Sequence, residues 1–429
     1  MGGTEPAPAR PVVITLAARS VLISLVTVAS ILTGCVPAIV STDLNLLANT
    51  LLVMGGNKNP TGLTPTMEQQ LGGDPWYPDT NADRLRPVGV FGEGYLDTQN
   101  NPASPYYGWD LTLVHWPAQI GLPMLGQWSY EGSQRQGLAN IDLAIRNVLP
   151  TLGPGETALA LGYSSGSNVM VREMRSLQNQ PGGAPATGQL EFFLMGNPNR
   201  PNGGILQRFP GLHVPLLDIR TDGSTPVDTP YSTTDIAWEY DAAADFPLYP
   251  VNLLAVLNSL LSGSYLHGDY YQADVNGPRA VPDVTVGNIT YITLEPPHLP
   301  LLMPLYELGF PTALLDLVEP ALTVMVDWGY NRSISPGSPT TARLVPTINP
   351  ITAAVDLMNA IGQGVHTFRA DLKPVPGPNS PAGAATERGP SAARSALPNR
   401  PSNRRAVNPS VDGKAHRNER NHRADRHRR

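Results

Sequence analysis

One stretch decides the predicted fold of this chain: TALALGYSSGSNV, residues 157–169. Its first part, Ala158 to Leu161, is a short apolar run with the length of a buried strand. The run breaks at GYSSG, residues 162–166, and a helical pattern follows from Ser167 to Leu177. A strand, a G-x-S-x-G turn and a helix in this order form a nucleophile elbow, which lifts a serine hydroxyl above the sheet edge.

Ser164 is the predicted nucleophile of this turn. Gly162 and Gly166 remove side chains that would clash two positions on either side of it. The following helix aims its free N–H groups at the turn, so the N–H of Ser165 is a predicted donor to an oxyanion. The alternative interpretation is an ordinary Gly/Ser loop between a strand and a helix.

Composition indicates one large domain with appendages. The 429 residues are 41% hydrophobic, which is enough for a sizeable core, and only 15% charged. With 41 Gly and 45 Pro, the surface should be rich in loops. Cys35 is the only cysteine, which excludes an intrachain disulfide framework and cysteine-based zinc or iron–sulfur sites.

The N-terminal region, residues 1–35, is typical of an export signal or a membrane anchor. Arg10 and Arg19 precede the apolar run Val21 to Leu32, which is too short to favour a spanning helix. The run ends in Leu32-Thr33-Gly34-Cys35, which resembles a bacterial lipobox and predicts lipidation of Cys35. The alternatives are a plain secretory signal or an uncleaved anchor.

The C-terminal region, residues 373–429, is predicted to be a disordered basic tail. It is rich in Pro, Ala, Ser and Arg and has no apolar periodicity. From Pro374 to Arg429 there are 12 Lys and Arg against 4 acidic residues, although the whole chain has a net charge of −6. Without interleaved aromatic residues, no nucleic-acid partner is expected. The α/β domain is therefore predicted to span residues 46–372.

The remaining elements alternate as in an α/β fold. The strand Leu46 to Met54 runs into Gly55-Gly56, whose backbone is a candidate second part of the oxyanion hole, the alternative being an ordinary turn. Further strands are predicted over 111–115, 190–195, 236–240 and 289–294, and helices over 130–149, 248–261, 301–308, 313–326 and 351–361.

A serine nucleophile needs a histidine base and a carboxylate that orients it. In α/β-hydrolases these residues follow the serine in the order acid, histidine. The loop after the strand 236–240 offers Asp245, the preferred acid, and Asp241, its rival. His267 and His298 are the candidate bases, and each is also compatible with a structural role.

The same segments resemble the PE-PPE domain, a cutinase-like serine-hydrolase domain of bacteria with a mycolic-acid envelope. The resemblance rests on GYSSG, on the run 240–258, on HGDY at 267–270, on HLPLLMPL at 298–305 and on VDWGYNR at 326–332. It implies an α/β-hydrolase fold, a three-layer sandwich with a mostly parallel sheet. It also implies Ser164 as nucleophile, Asp245 before Phe246-Pro247 as acid, and His267 in a cutinase-like H-x-x-Y pattern. The expected glycine-rich motif is present only as Gly55-Gly56.

Together these features predict an exported serine hydrolase, secreted or anchored at the cell envelope. It would be an esterase, lipase or acyltransferase on envelope lipids, working through an acyl-serine intermediate. Trehalose or another sugar is the acceptor that the resemblance implies, and neither a cofactor nor a metal is expected. His267 is preferred as the base. The alternative is an inactive structural or binding protein of the envelope on a hydrolase scaffold.

Overall fold

A computed structural model of the chain describes residues 49–60, 102, 106–180, 184–268, 270 and 280–372. Its centre is a seven-stranded sheet in which all neighbours run parallel except the last pair, which is antiparallel. A separate hairpin joins β5 (His213–Val214) and β6 (Ile219–Arg220). The strands of the large sheet, in order across it, are β2 (Asp110–Leu113), β1 (Thr50–Met54), β3 (Ala158–Tyr163), β4 (Leu190–Met195), β7 (Thr233–Trp238), β9 (Ile289–Leu294) and β8 (Ala280–Val286).

Polar side chains cap the N-termini of several helices. Ser129 caps the first helix by accepting the N–H of Gly132 at 3.0 Å, and Asn252 caps the fourth by accepting the N–H of Ala255 at 3.1 Å. No described helix is both long and apolar enough to cross a membrane. The helices are α1 (Tyr130–Val148), α2 (Ser165–Gln178), α3 (Ile205–Arg208), α4 (Leu253–Tyr265), α5 (Met303–Glu307), α6 (Thr312–Asp327) and α7 (Pro350–Asp371).

Alternation along the strands builds a separate core on each face of the sheet. On one face Leu52, Ala160 and Leu194 are fully buried. Helices α1 and α2 cover this face with Ile141 and Met170, which belong to the same cluster. Both helices therefore lie on one side of the sheet, where their apolar faces remove the strands from water.

The opposite face is covered from a different part of the chain. Here Val53, Leu161 and Met195 are buried with Leu266 and Tyr270, which follow α4. Because both faces of the sheet are covered, the central strands are apolar throughout. The predicted α/β-hydrolase class with a mostly parallel sheet is confirmed.

Most of the predicted elements are present with small shifts, but the helix expected over 351–361 extends from Pro350 to Asp371. The strands over 190–195 and 289–294 have the predicted bounds, while the strand expected over 236–240 occupies Thr233–Trp238. The helix expected over 248–261 begins only after its cap at Asn252. Strand β8 was not predicted, because it lies at the sheet edge and its exposed residues give no apolar run. The predicted signal and tail lie outside the described residues.

Parallel pairing brings the carboxyl ends of the central strands to one edge of the sheet. Tyr163 at the end of β3 pairs with Met195 at the end of β4, which in turn pairs with Ile236 of β7. The residues that follow these strands therefore meet above the same edge, where open α/β sheets place their ligands.

Candidate active site

Ser164 occupies a strained turn between β3 and α2. Its φ of 55° and ψ of −120° lie in a region that residues with a side chain rarely adopt. The turn is held from β4, because the carbonyl of Met195 accepts the N–H of Ser164 at 2.8 Å and the hydroxyl of Ser167 at 2.9 Å. Ser167 also donates to the carbonyl of Gly162 at 2.6 Å. These contacts fix the conformation that presents the Ser164 hydroxyl.

Both glycines of the G-x-S-x-G turn are required by close backbone contacts. A Cβ atom on Gly162 would lie 2.7 Å from the carbonyl oxygen of Gly166. A Cβ on Gly166 would lie 2.6 Å from the carbonyl oxygen of Gly55, at the end of β1. The glycines therefore allow β1, β3 and α2 to approach one another around the serine, as the sequence predicts.

His267 lies beside Ser164, just after α4. Its Nε2 atom is 2.7 Å from Ser164 Oγ, which is hydrogen-bond distance. The ring stands close to Gly196, where a Cβ would lie 3.0 Å from His267 Cε1. Tyr163 holds the backbone of the same residue, because its hydroxyl donates to the carbonyl of His267 at 2.6 Å. The histidine is thus positioned through both its ring and its main chain.

Asp241 is the carboxylate that meets this histidine. Both of its oxygens lie 2.9 Å from His267 Nδ1, and its side chain is fully buried. It also accepts the hydroxyl of Tyr270 at 2.7 Å and the backbone N–H of Ala243 at 2.7 Å. Burial alone would raise the pKa of Asp241, but the His267 charge and these hydrogen bonds lower it overall, so the carboxylate is ionised at neutral pH.

The carboxylate of Asp241 also changes the pKa of the His267 imidazole. Burial by itself lowers the pKa of His267, but the charge of Asp241 and its hydrogen bond outweigh burial and raise the pKa above the ordinary value of 6.5. When Nδ1 carries the proton donated to Asp241, Nε2 is free to accept one from Ser164. Serine, histidine and aspartate thus form a continuous hydrogen-bonded chain.

The structure differs from the sequence-based preference for Asp245 as the acid. Asp245 lies on the same loop but binds Arg332, whose Nη1 is 2.6 Å from Asp245 Oδ2. The same oxygen accepts the N–H of Tyr240 at 2.8 Å. Asp241, the rival candidate, takes the place beside His267. Arg332, from a distant part of the sequence, forms an ion pair with Asp245, whereas Asp241 meets His267.

His298 belongs to a different cluster from Ser164. Its Nδ1 lies 3.0 Å from Glu319 Oε2, and its ring stacks on Tyr306 with centroids 3.9 Å apart. The hydroxyl oxygen of Tyr306 lies 2.7 Å from Asp316 Oδ1 and 3.1 Å from Glu319 Oε2, so its one proton is shared between the two carboxylates. The ligand atoms of His298, Asp316 and Glu319 lie within 4.8 Å of one another, so this group is compatible with a metal ion.

The candidate oxyanion residues surround the serine. Ser165 is the first residue of α2, where backbone N–H groups have no partner inside the helix. A Cβ on Gly56 would lie 2.8 Å from Ser164 Cβ, so the backbone after β1 lies directly against the nucleophile. The carbonyl of Gly55 accepts the indole N–H of Trp116 at 3.1 Å, which fixes the backbone directly after β1. The donor roles of Ser165, Gly55 and Gly56 stay predictions.

Three residues that position the site have no role that the sequence pattern indicates. Tyr270 appeared only as part of the H-x-x-Y pattern, and Tyr163 as a variable residue of the elbow. Arg332 appeared only within the segment 326–332. No local signal identifies these roles, because each depends on a contact with a distant residue. The predicted lipidation site, Cys35, lies outside the described residues.

The PE-PPE domain model matches residues 108–331 of this chain. Esterase PE16 of Mycobacterium tuberculosis is 40% identical over 273 residues, which cover 61% of this chain and 50% of the relative. Diacyltrehalose acyltransferase Chp2 of the same organism is 30% identical over 280 residues, covering 61% of this chain and 72% of the relative. The chain thus spans about half the length of the first of these relatives.

Among solved structures, a cutinase-like protein from Cryptococcus sp. is 20% identical to this chain. The match covers 46% of this chain and 79% of that protein, with a TM-score of 0.27.

Proposed function

Since the chain belongs to the PE-PPE domain family, we propose that it is a serine esterase or acyltransferase that acts on acyl esters. One observation supports this most directly: Ser164 Oγ lies 2.7 Å from His267 Nε2, while His267 Nδ1 lies 2.9 Å from the buried Asp241. This is the arrangement by which a histidine activates a serine hydroxyl and a carboxylate fixes the tautomer of the histidine.

In the proposed reaction Ser164 Oγ attacks the carbonyl carbon of the ester, and its proton passes to His267 Nε2. Asp241 stabilises the imidazolium that results, and it stays ionised. The N–H of Ser165 and the backbone at Gly56 are the proposed donors to the oxyanion. When the tetrahedral intermediate collapses, the alcohol leaves and takes the proton from His267. An acyl group then remains on Ser164.

The acyl-serine is then released to a hydroxyl group. Water or an alcohol gives its proton to His267 and attacks the acyl carbon, which restores Ser164 and yields an acid or a new ester. We propose envelope lipids as acyl donors and trehalose or another sugar as an acceptor. Support comes from the names of two relatives, an esterase and a diacyltrehalose acyltransferase.

Substitution of the serine tests this proposal. Ser164→Ala should lower turnover of a p-nitrophenyl ester by about 10⁴-fold, since only binding and oxyanion effects would remain. Ser165→Ala is a matched control, because it keeps the backbone N–H and its hydroxyl has no hydrogen-bond partner in the described structure. A fluorophosphonate probe should label the wild type and Ser165→Ala but not Ser164→Ala.

Unchanged turnover in Ser164→Ala, or probe labelling at another serine, would contradict the proposal. A folded wild-type protein that neither reacts with the probe nor turns over esters would favour the alternative, a binding or structural protein on a hydrolase scaffold. Export and lipidation remain proposals based on residues 1–35. The intact mass of the mature protein, compared with that of Cys35→Ala, would test them.

A further inference from the structure

The loop after β1 lies directly against the candidate nucleophile. Gly56 is buried, and a Cβ on it would lie 2.8 Å from Ser164 Cβ. No residue in the described part of the chain accepts the N–H of Gly56. A buried N–H group without an acceptor costs free energy, unless a ligand supplies the acceptor. Gly56 is therefore placed to donate to an oxyanion that forms at Ser164.

The direction of this N–H is tied to the carbonyl of the preceding residue. The C=O of Gly55 and the N–H of Gly56 belong to one trans peptide group, which is planar, so they point in opposite directions. The indole N–H of Trp116 donates to the Gly55 carbonyl at 3.1 Å. This hydrogen bond holds the carbonyl on the Trp116 side and directs the N–H of Gly56 to the opposite side. It also polarises the peptide group, which makes its N–H a stronger donor.

Trp116 is itself held in place by its surroundings. The residue is 5% exposed, and helix α1 lies so close that a Cβ on Gly137 would be 2.9 Å from Trp116 Cε3. The backbone N–H of Trp116 donates to the carbonyl of Pro60 at 3.1 Å. Two residues further on, the carbonyl of Ala118 accepts the N–H of Lys58 at 2.8 Å. These contacts fix the indole relative to the loop after β1.

We propose that Trp116 is a positioning residue for the oxyanion hole, because it directs the N–H of Gly56 through the Gly55 carbonyl. This inference rests on the proposed function, since the oxyanion forms only if Ser164 attacks an ester. Trp116 acts through the peptide group, so its loss should weaken stabilisation of the transition state and leave substrate binding unchanged. The competing explanation is that the buried indole serves only the hydrophobic core.

Variants of the full chain that lack the indole N–H test this inference. Trp116→Phe removes the N–H and part of the ring system. Benzothienylalanine at the same position keeps the size of the ring and replaces the N–H by sulfur, so it isolates the hydrogen bond from packing. The matched control is Trp238→Phe, because Trp238 is 3% exposed and its indole N–H has no hydrogen-bond partner in the described structure. Thermal melts establish that each variant is folded.

Turnover of a p-nitrophenyl ester should separate these variants. Formation and hydrolysis of the acyl-serine both pass through an oxyanion, so kcat should fall whichever step is slower. Both Trp116 variants should lower kcat about tenfold at unchanged KM, which is part of the loss of about 10²- to 10³-fold that follows removal of a whole oxyanion donor. Trp238→Phe should change kcat by less than about threefold, because no hydrogen bond is lost.

A trifluoromethyl ketone provides a readout that a purely structural role would not change. It adds to a serine hydroxyl to form a tetrahedral oxyanion, so the Trp116 variants should bind it more weakly by about the same factor as kcat falls. The acid limb of the pH profile should stay at its wild-type position, since His267 and Asp241 keep their contacts.

An unchanged kcat with benzothienylalanine in place of Trp116 would overturn the inference. So would equal losses of kcat in that variant and in Trp238→Phe, or an increase in KM alone, which would assign Trp116 to substrate binding. Ser164→Ala separates this inference from the proposed function. If Ser164→Ala keeps turnover, the proposed function fails. If it loses turnover while the Trp116 variants keep theirs, only the role of Trp116 fails.

Discussion

The molecule contains two pairs of a histidine and a carboxylate with nearly the same geometry. His267 lies 2.9 Å from Asp241, and His298 lies 3.0 Å from Glu319. The two pairs differ in the further contact that each imidazole ring makes. The Nε2 of His267 contacts the hydroxyl of Ser164, whereas the ring of His298 stacks on Tyr306.

Burial differs between the two pairs as well. Asp241 is fully buried and receives further hydrogen bonds from Tyr270 and the loop backbone, whereas the side chain of Glu319 is 18% exposed. A buried carboxylate with fixed donors holds its histidine in one orientation, which is what proton transfer in a single geometry requires. A histidine–carboxylate pair therefore does not identify a catalytic site by itself, and the further partner of the histidine determines what the pair can do.

The largest difference is expected between the two histidines. His267→Ala should lower ester turnover by about 10³- to 10⁴-fold, because Ser164 loses its proton acceptor. His298→Ala, the matched control, should change turnover by less than about threefold and lower the melting temperature, because Glu319 loses one of its hydrogen-bond partners. Turnover and thermal melts of both variants test this. A greater loss of turnover in His298→Ala than in His267→Ala would reverse the assignment.

Substitutions of the two aspartates of one loop, Asp241 and Asp245, should have different effects on turnover and stability. Asp241→Asn should lower turnover by about 10³- to 10⁴-fold, because an amide can hold the histidine in the wrong tautomer. Asp245→Asn should keep most of the turnover but lower the free energy of unfolding by about 1.5–3 kcal/mol, because Arg332 loses a charged hydrogen-bond partner.

Denaturant unfolding together with ester kinetics distinguishes these outcomes. If Asp245→Asn loses turnover while its stability is unchanged, Asp245 has a role at the reacting atoms that its contacts with Arg332 and Tyr240 do not explain.

The smallest effect is expected for the tyrosine behind Asp241. Turnover requires neutral His267, so it should fall as the pH decreases through the raised pKa of this residue. Tyr270→Phe should lower turnover by about tenfold and move this acid limb to higher pH, because Asp241 without the Tyr270 hydrogen bond attracts the His267 proton more strongly.

Tyr163→Phe is the control for this change. The hydroxyl of Tyr163 donates its proton to the backbone carbonyl of His267 at 2.6 Å, so its loss should leave the position of the acid limb unchanged. An equal shift in both variants would mean that Tyr270 acts only through packing.

The central strands, the elbow and its nucleophile candidate could all be predicted from the order of the residues. Ala158 to Leu161 form a buried strand because an apolar run of this length has to leave water. The two glycines of the elbow indicated a turn in which side chains do not fit, and the structure places backbone carbonyls within 2.8 Å of both positions. These features are local, so the order of residue types is enough to reveal them.

The choice of the histidine beside Ser164 and of the aspartate beside that histidine depends on contacts made in the folded chain. Asp241 and Asp245 lie on the same loop and fit the same order along the chain. Arg332, more than 80 residues away in sequence, lies against Asp245 and leaves Asp241 to face His267. A hydrogen bond acts over about 3 Å in space whatever the separation along the chain. Assignments that depend on such contacts therefore require the fold.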